Sequence, residues 1–111
     1  MNPIYNIPDL DTYKKEVVQS NGLTLVKFGA AWSGTSEMIA PIFYDLAREY
    51  HHEAKFFCVS IDETKELEVE FNHLEIPTIL FFRDGEITDQ IKGAVSRQNI
   101  ASKIEFLLHN N

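Results

Sequence analysis

The side chains of this chain that could do chemistry gather at a few places. In "FGAAWSGTSEMIAPIF", Phe28 to Phe43, Ser33 and Ser36 stand three apart, with Trp32 before them and Pro41 after. Serines at the start of a helix serve first as caps, each oxygen accepting a bond from an orphan N–H, and both are expected to do so. A nucleophilic serine would need a base, and two are at hand. Lys27, set in an apolar wall, could have a lowered pKa. His73, four residues before Pro77, could reach the same place. No oxyanion arrangement can be read beside them, so a Ser-Lys or Ser-His hydrolase stands as a minor reading. Cys58 is the one cysteine, which excludes an internal disulfide, and the four histidines form no zinc spacing, so no metal and no cofactor is expected. If Lys27 lay beside Cys58 on an adjoining strand it would favour the thiolate. In the plainer reading the lysine stem lies along the core and its amine reaches water or a carboxylate.

The elements that must position these groups alternate. "PDLDTYKKEVVQSNG" has a capping Asp9, apolar Leu10, Tyr13, Val17 and Val18 on one face, and a stop at Asn21-Gly22, the pattern of a helix. "LTLVKF" and "KFFCVSID" are short, mostly apolar runs with the look of buried strands. Between them, Ser36 to Tyr50 carries helical spacing through Met38, Ile39, Ile42, Phe43, Leu46 and Ala47, with Pro41 as an expected kink. "ETKELEVEFNH" reads as a short acidic helix with a solvated face. "EIPTILFFRDGEITDQIKG" holds two runs of β-formers joined at Asp84-Gly85, a strong hairpin turn. Ser96 then caps a helix with Ile100, Ile104, Leu107 and Leu108 on one face, and "PIYNI" is a candidate edge strand. The β-α-β steps require parallel pairing by right-handed crossovers, and the hairpin adds antiparallel strands. The expectation is an α/β domain over residues 1–111, a mixed sheet with helices on both faces.

In this order the elements resemble the thioredoxin family over nearly the full chain. Trp32, Gly34 and Pro41 match its active-site helix, Asp62 its acidic residue after the third strand, and Ile76-Pro77-Thr78 its cis-proline loop. Gly85 matches the hairpin turn and Gly93 the glycine beside the substrate groove. The resemblance implies a protein-disulfide oxidoreductase in which Ser33 and Ser36 stand at the positions of two catalytic cysteines. That chemistry needs a thiolate to attack a disulfide and a second thiol to resolve the mixed disulfide. A serine hydroxyl is far less acidic and makes no stable bond to sulfur, so this chain as written should not cycle. Further departures surround the site. Lys27 replaces the family's buried Asp, Cys58 replaces that Asp's lysine partner, Gly29 stands where a Trp is common, and Glu37 where many members have lysine. Two swaps of cysteine for serine would leave Lys27, Gly29 and Cys58 unexplained.

The resemblance implies that the residue before the cis-proline, Ile76, offers backbone hydrogen bonds to an extended peptide. With Trp32, Gly34, Thr35, Pro77 and Gly93 it would form an apolar patch with exposed backbone. The leading expectation is therefore a redox-inactive thioredoxin-like protein that binds a segment of a protein partner in this groove, whose Glu37 would disfavour acidic peptides. The alternative is a thiol-disulfide oxidoreductase of cell redox homeostasis with both catalytic cysteines replaced by serine. Chemistry at Cys58 alone ranks below both. A net charge of −7 argues against a nucleic-acid partner. No apolar run is long enough for a membrane span and no export signal is visible, so the expected location is the cytoplasm. The 44% apolar content is ample for one core.

Overall fold

The computed structural model describes residues 3–30, 33–63, 65–71 and 74–109. Trp32 and His73, both expected near the site, lie outside the described residues. The chain runs β1 (Ile4–Asn6), α1 (Leu10–Tyr13), β2 (Leu23–Gly29), α2 (Gly34–Tyr50), β3 (Ala54–Ser60), α3 (Lys65–Glu70), β4 (Thr78–Arg83), β5 (Glu86–Lys92) and α4 (Arg97–His109). The strands form one sheet in the order β1-β3-β2-β4-β5. β1, β3 and β2 pair in parallel, while β4 and β5 add antiparallel. This is the expected mixed sheet.

The central strands are apolar on both faces because each face is covered. Successive residues point to opposite sides. Leu25, Phe56, Ile79 and Phe81 therefore join Ile39, Phe43, Leu46, Ile100 and Ile104 in the layer beneath α2 and α4. Val26, Phe28, Phe57, Val59, Leu80 and Phe82 join Tyr13, Val17, Leu67 and Phe71 in the opposite layer. Each such fully buried side chain is worth about 1.5–3 kcal/mol relative to exposure. Lys27 belongs by alternation to the α2 face.

Three sequence expectations change. The first helix is one α-turn, capped by Asp9 through Thr12 N–H at 2.8 Å, that continues as a π-helix over Lys14–Val18. The wider turn holds Tyr13 and Val17 in the core and leaves Val18 43% exposed, so Val18 is not on the buried face. Met38 also points out, at 68% exposure, because Ile39, Phe43 and Leu46 already fill the buried stripe of α2. The strand expected through Asp62 ends at Ser60.

The hairpin at Asp84-Gly85 has positive φ at both residues, 51° and 86°, as a two-residue primed turn requires. Asp84 fastens it to the loop before β2: its Oδ1 accepts from Gly22 N–H at 2.7 Å, and its N–H donates to Gly22 O at 2.9 Å. An irregularity in register between Phe81 and Phe82, a β-bulge, was not legible in the sequence. Ser96 caps α4 through Asn99 N–H as expected.

Candidate functional site

Topology brings the three segments of the expected groove to one rim. β4 runs antiparallel to β2 with Phe28 opposite Thr78, so the end of β2 and the start of β4 share one rim of the sheet. Thr78 also faces Lys92 on β5, which brings Gly93 beside Pro77. That rim is the carboxyl end of parallel strands β2 and β3, where ligands of α/β sheets commonly sit.

The N-terminus of α2 is built by Ser33. Its backbone is extended (φ −98°, ψ 112°), and its hydroxyl accepts from Ser36 N–H at 3.2 Å, which makes it the N-cap. Gly34 and Thr35 follow, exposed. Ser36 does not cap, contrary to expectation: it is buried at 6% exposure, and its Oγ has no hydrogen-bond partner among the described residues. One turn of helix separates the two serines, and that turn carries Ser36 inward against the end of β2. A Cβ at Gly29 would sit 3.3 Å from both Cβ and Oγ of Ser36, so the glycine permits this close approach.

Across the rim, the Ile76–Pro77 peptide bond is cis. Thr78 Oγ1 donates to Glu75 O at 2.5 Å, and Gly93 N–H donates to Pro77 O at 2.7 Å. Gly93 has φ +78°, a conformation that suits glycine. Among the described residues, neither backbone group of Ile76 is hydrogen-bonded. Pro77 is buried while Ile76 and Gly93 are half-exposed.

Lys27 belongs to a different place. It lies opposite Cys58 on β3, as expected, in a cleft with Ile4, Asn6, Glu37, Ala40, Pro41 and Tyr44. No hydrogen bond joins it to Ser33 or Ser36 among the described residues, so the Ser-Lys reading lacks the contact between nucleophile and base that it requires. The sharper reading, in which Lys27 favours the Cys58 thiolate, is not supported. Burial pushes the Cys58 thiol up, and the opposing pull of Lys27 does not reverse it. Burial likewise pushes the Lys27 amine down, against the attraction of Cys58 and Glu37. Asn6, which accepts from the Cys58 thiol, was missed by sequence reasoning. Only its register partner across β1 and β3 could have pointed to it.

A mixed five-stranded sheet with a helix N-terminus facing a cis-proline loop at the parallel rim defines the thioredoxin fold. A family model described as Thioredoxin matches residues 6–106. Thioredoxin 1 of Synechococcus elongatus is 33% identical over 94 residues, covering 85% of this chain and 88% of the relative. The thioredoxin of Staphylococcus saprophyticus is 36% identical over 77% of this chain and 82% of its own length. In fold, the chain is similar to the thioredoxin of Malassezia sympodialis, with a TM-score of 0.85 at 24% identity over 97% of this chain and 93% of that one. The chain belongs to the thioredoxin family, and it carries a single cysteine, away from the helix start. No helix among the described residues is long and apolar enough to cross a membrane.

Proposed function

We propose that this protein is a thioredoxin-family member without disulfide-exchange activity, whose groove holds an extended segment of a protein partner. The observation that carries the reading is a contrast within the groove. At the helix start, one hydroxyl is committed to capping and the other is buried, so neither stands in for a thiol. On the opposite wall, the Ile76 backbone presents an N–H and a C=O with no described partner, beside a loop held in place by Gly93. Such backbone groups pair with an extended peptide as a further strand would, while Gly34 and Thr35 leave room above the helix tip.

Two measurements test it. Reduction of a protein disulfide is assayed with a dithiol donor in excess; the expected result is no turnover above the donor alone, and measurable turnover would sink the reading. Peptides selected from a random displayed library should bind the wild type and lose affinity for Thr35→Arg, which fills the groove from an exposed position. Peptides that bind both proteins equally would remove the groove from the account.

A further inference from the structure

The parallel ladders place three polar side chains in one row. Asn6 on β1 lies opposite Cys58 on β3, and Cys58 lies opposite Lys27 on β2. Residues paired in this way point to the same face, with about 4.8 Å between strands. The row crosses the face beneath α2, where the residues two positions earlier, Ile4, Phe56 and Leu25, pack in the apolar core. α2 flanks the row with Glu37, Ala40, Pro41 and Tyr44, and the open cleft they line measures about 470 Å³ beside edge strand β1. That volume accepts a small organic molecule.

The chemistry of the row is specific. Lys27 and Cys58 are the two nucleophiles, and their environments act on them in opposite ways. The half-buried amine gives up its proton more readily than a surface lysine does, while the thiol keeps its proton and donates it to Asn6 Oδ1. A site of this kind is poorly suited to thiolate chemistry and well suited to a carbonyl carbon, which a neutral amine attacks first.

We propose that the cleft between α2 and the β1 edge captures a small aldehyde, bound covalently between Lys27 Nζ and Cys58 Sγ. The amine adds to the carbonyl carbon, and the oxygen takes up protons and leaves as water as the C=N bond forms. The Cys58 S–H then adds across that bond, sulfur to carbon and hydrogen to nitrogen. One water is released and nothing is oxidised or reduced. Glu37, whose charge acts on Lys27, lines the same cleft. Ile4, Ala40 and Pro41 offer the aldehyde an apolar wall, so hydrocarbon or aromatic aldehydes fit better than charged ones. The inference is independent of peptide binding in the groove.

The test uses the intact chain. o-Phthalaldehyde forms a fluorescent isoindole only when an amine and a thiol both add to it. With no thiol supplied, the sole source is Cys58. The expected result is a one-to-one isoindole at dilute protein concentration that disappears in Cys58→Ser and in Lys27→Arg. Undiminished fluorescence in Lys27→Arg would assign the amine to another lysine and overturn the proposal. Benzaldehyde with cyanoborohydride at neutral pH, followed by peptide mass mapping of the wild type, avoids any question of variant folding. Lys27 should label about tenfold faster than the chain's other lysines, because the cleft holds the aldehyde beside it. Equal labelling across the lysines would equally overturn it.

Discussion

The groove at the start of α2 and the cleft lined by Glu37, Ala40, Pro41 and Tyr44 of that helix are built from different materials. The groove is made of backbone: an N-capped helix start, the Ile76 peptide groups, a Gly93 N–H on Pro77 O, and a glycine at positive φ. The cleft is made of side chains, Lys27, Cys58, Asn6 and Glu37, brought together by strand register and helix placement. The difference teaches which parts of a fold tolerate changes of side chain. The groove rests on backbone geometry and on a single cap, Ser33 Oγ on Ser36 N–H. Side-chain features change freely because the ladder holds the strands whatever they carry.

If that comparison is sound, the hairpin bearing one groove wall should be the part most sensitive to backbone change. Gly85→Ala combines a φ of +86° with a Cβ only 2.0 Å from Val18 O. A loss of about 3 kcal/mol is expected in urea unfolding, and a loss under half of that would show that the turn can yield. Gly93→Ala sharpens the point. Its φ of +78° is similar, but a Cβ there meets nothing within 4 Å, so about 1 kcal/mol is expected.

The two serines separate capping from burial. Ser33→Ala removes the N-cap and should cost about 1 kcal/mol. In the cleft, Lys27→Met replaces a desolvated amine with an apolar chain of similar length and should stabilise by about 1 kcal/mol at neutral pH. The pH dependence follows from proton counts. The folded Lys27 loses its proton below the ordinary value of 10.5, so the unfolded state binds more protons in that window. Wild-type stability therefore gains from Lys27 as pH rises toward 10.5, and the advantage of Lys27→Met should shrink. Cys58 acts in the reverse sense, holding its proton above 9.0 and losing its contribution as pH climbs past that value. Unfolding curves of both proteins across this range separate the two, and a constant difference would contradict the burial of Lys27. The smallest effect is reserved for Ser36→Ala, expected within about 0.5 kcal/mol of wild type and on the stabilising side, because it removes a buried hydroxyl without a partner. A clear destabilisation would mean that the hydroxyl is bonded.

Much of this fold was legible in advance because its signals are local. The alternation of apolar runs and helical stripes, Asp9 and Ser96 as caps, and Asp84-Gly85 as a turn each follow from a few neighbouring residues. Local patterns failed where a neighbour far along the chain decides. Val18 and Met38 are apolar at plausible helical positions, yet both face out, one because the π-turn ends the buried stripe and the other because that stripe is already full. Ser36 has the sequence position of a cap and the environment of a core residue.

What the sequence alone determined is the architecture and the absence of a thiol pair, while its resemblance to the thioredoxin family implied that Ser33, Pro77 and Gly93 meet on one rim. What only the tertiary structure decided is the company each polar group keeps: Ser36 against Gly29, Lys27 away from the serines, the Cys58 thiol donating to Asn6. The physical reason is that burial and register set these partnerships, and both are properties of strands paired across the chain.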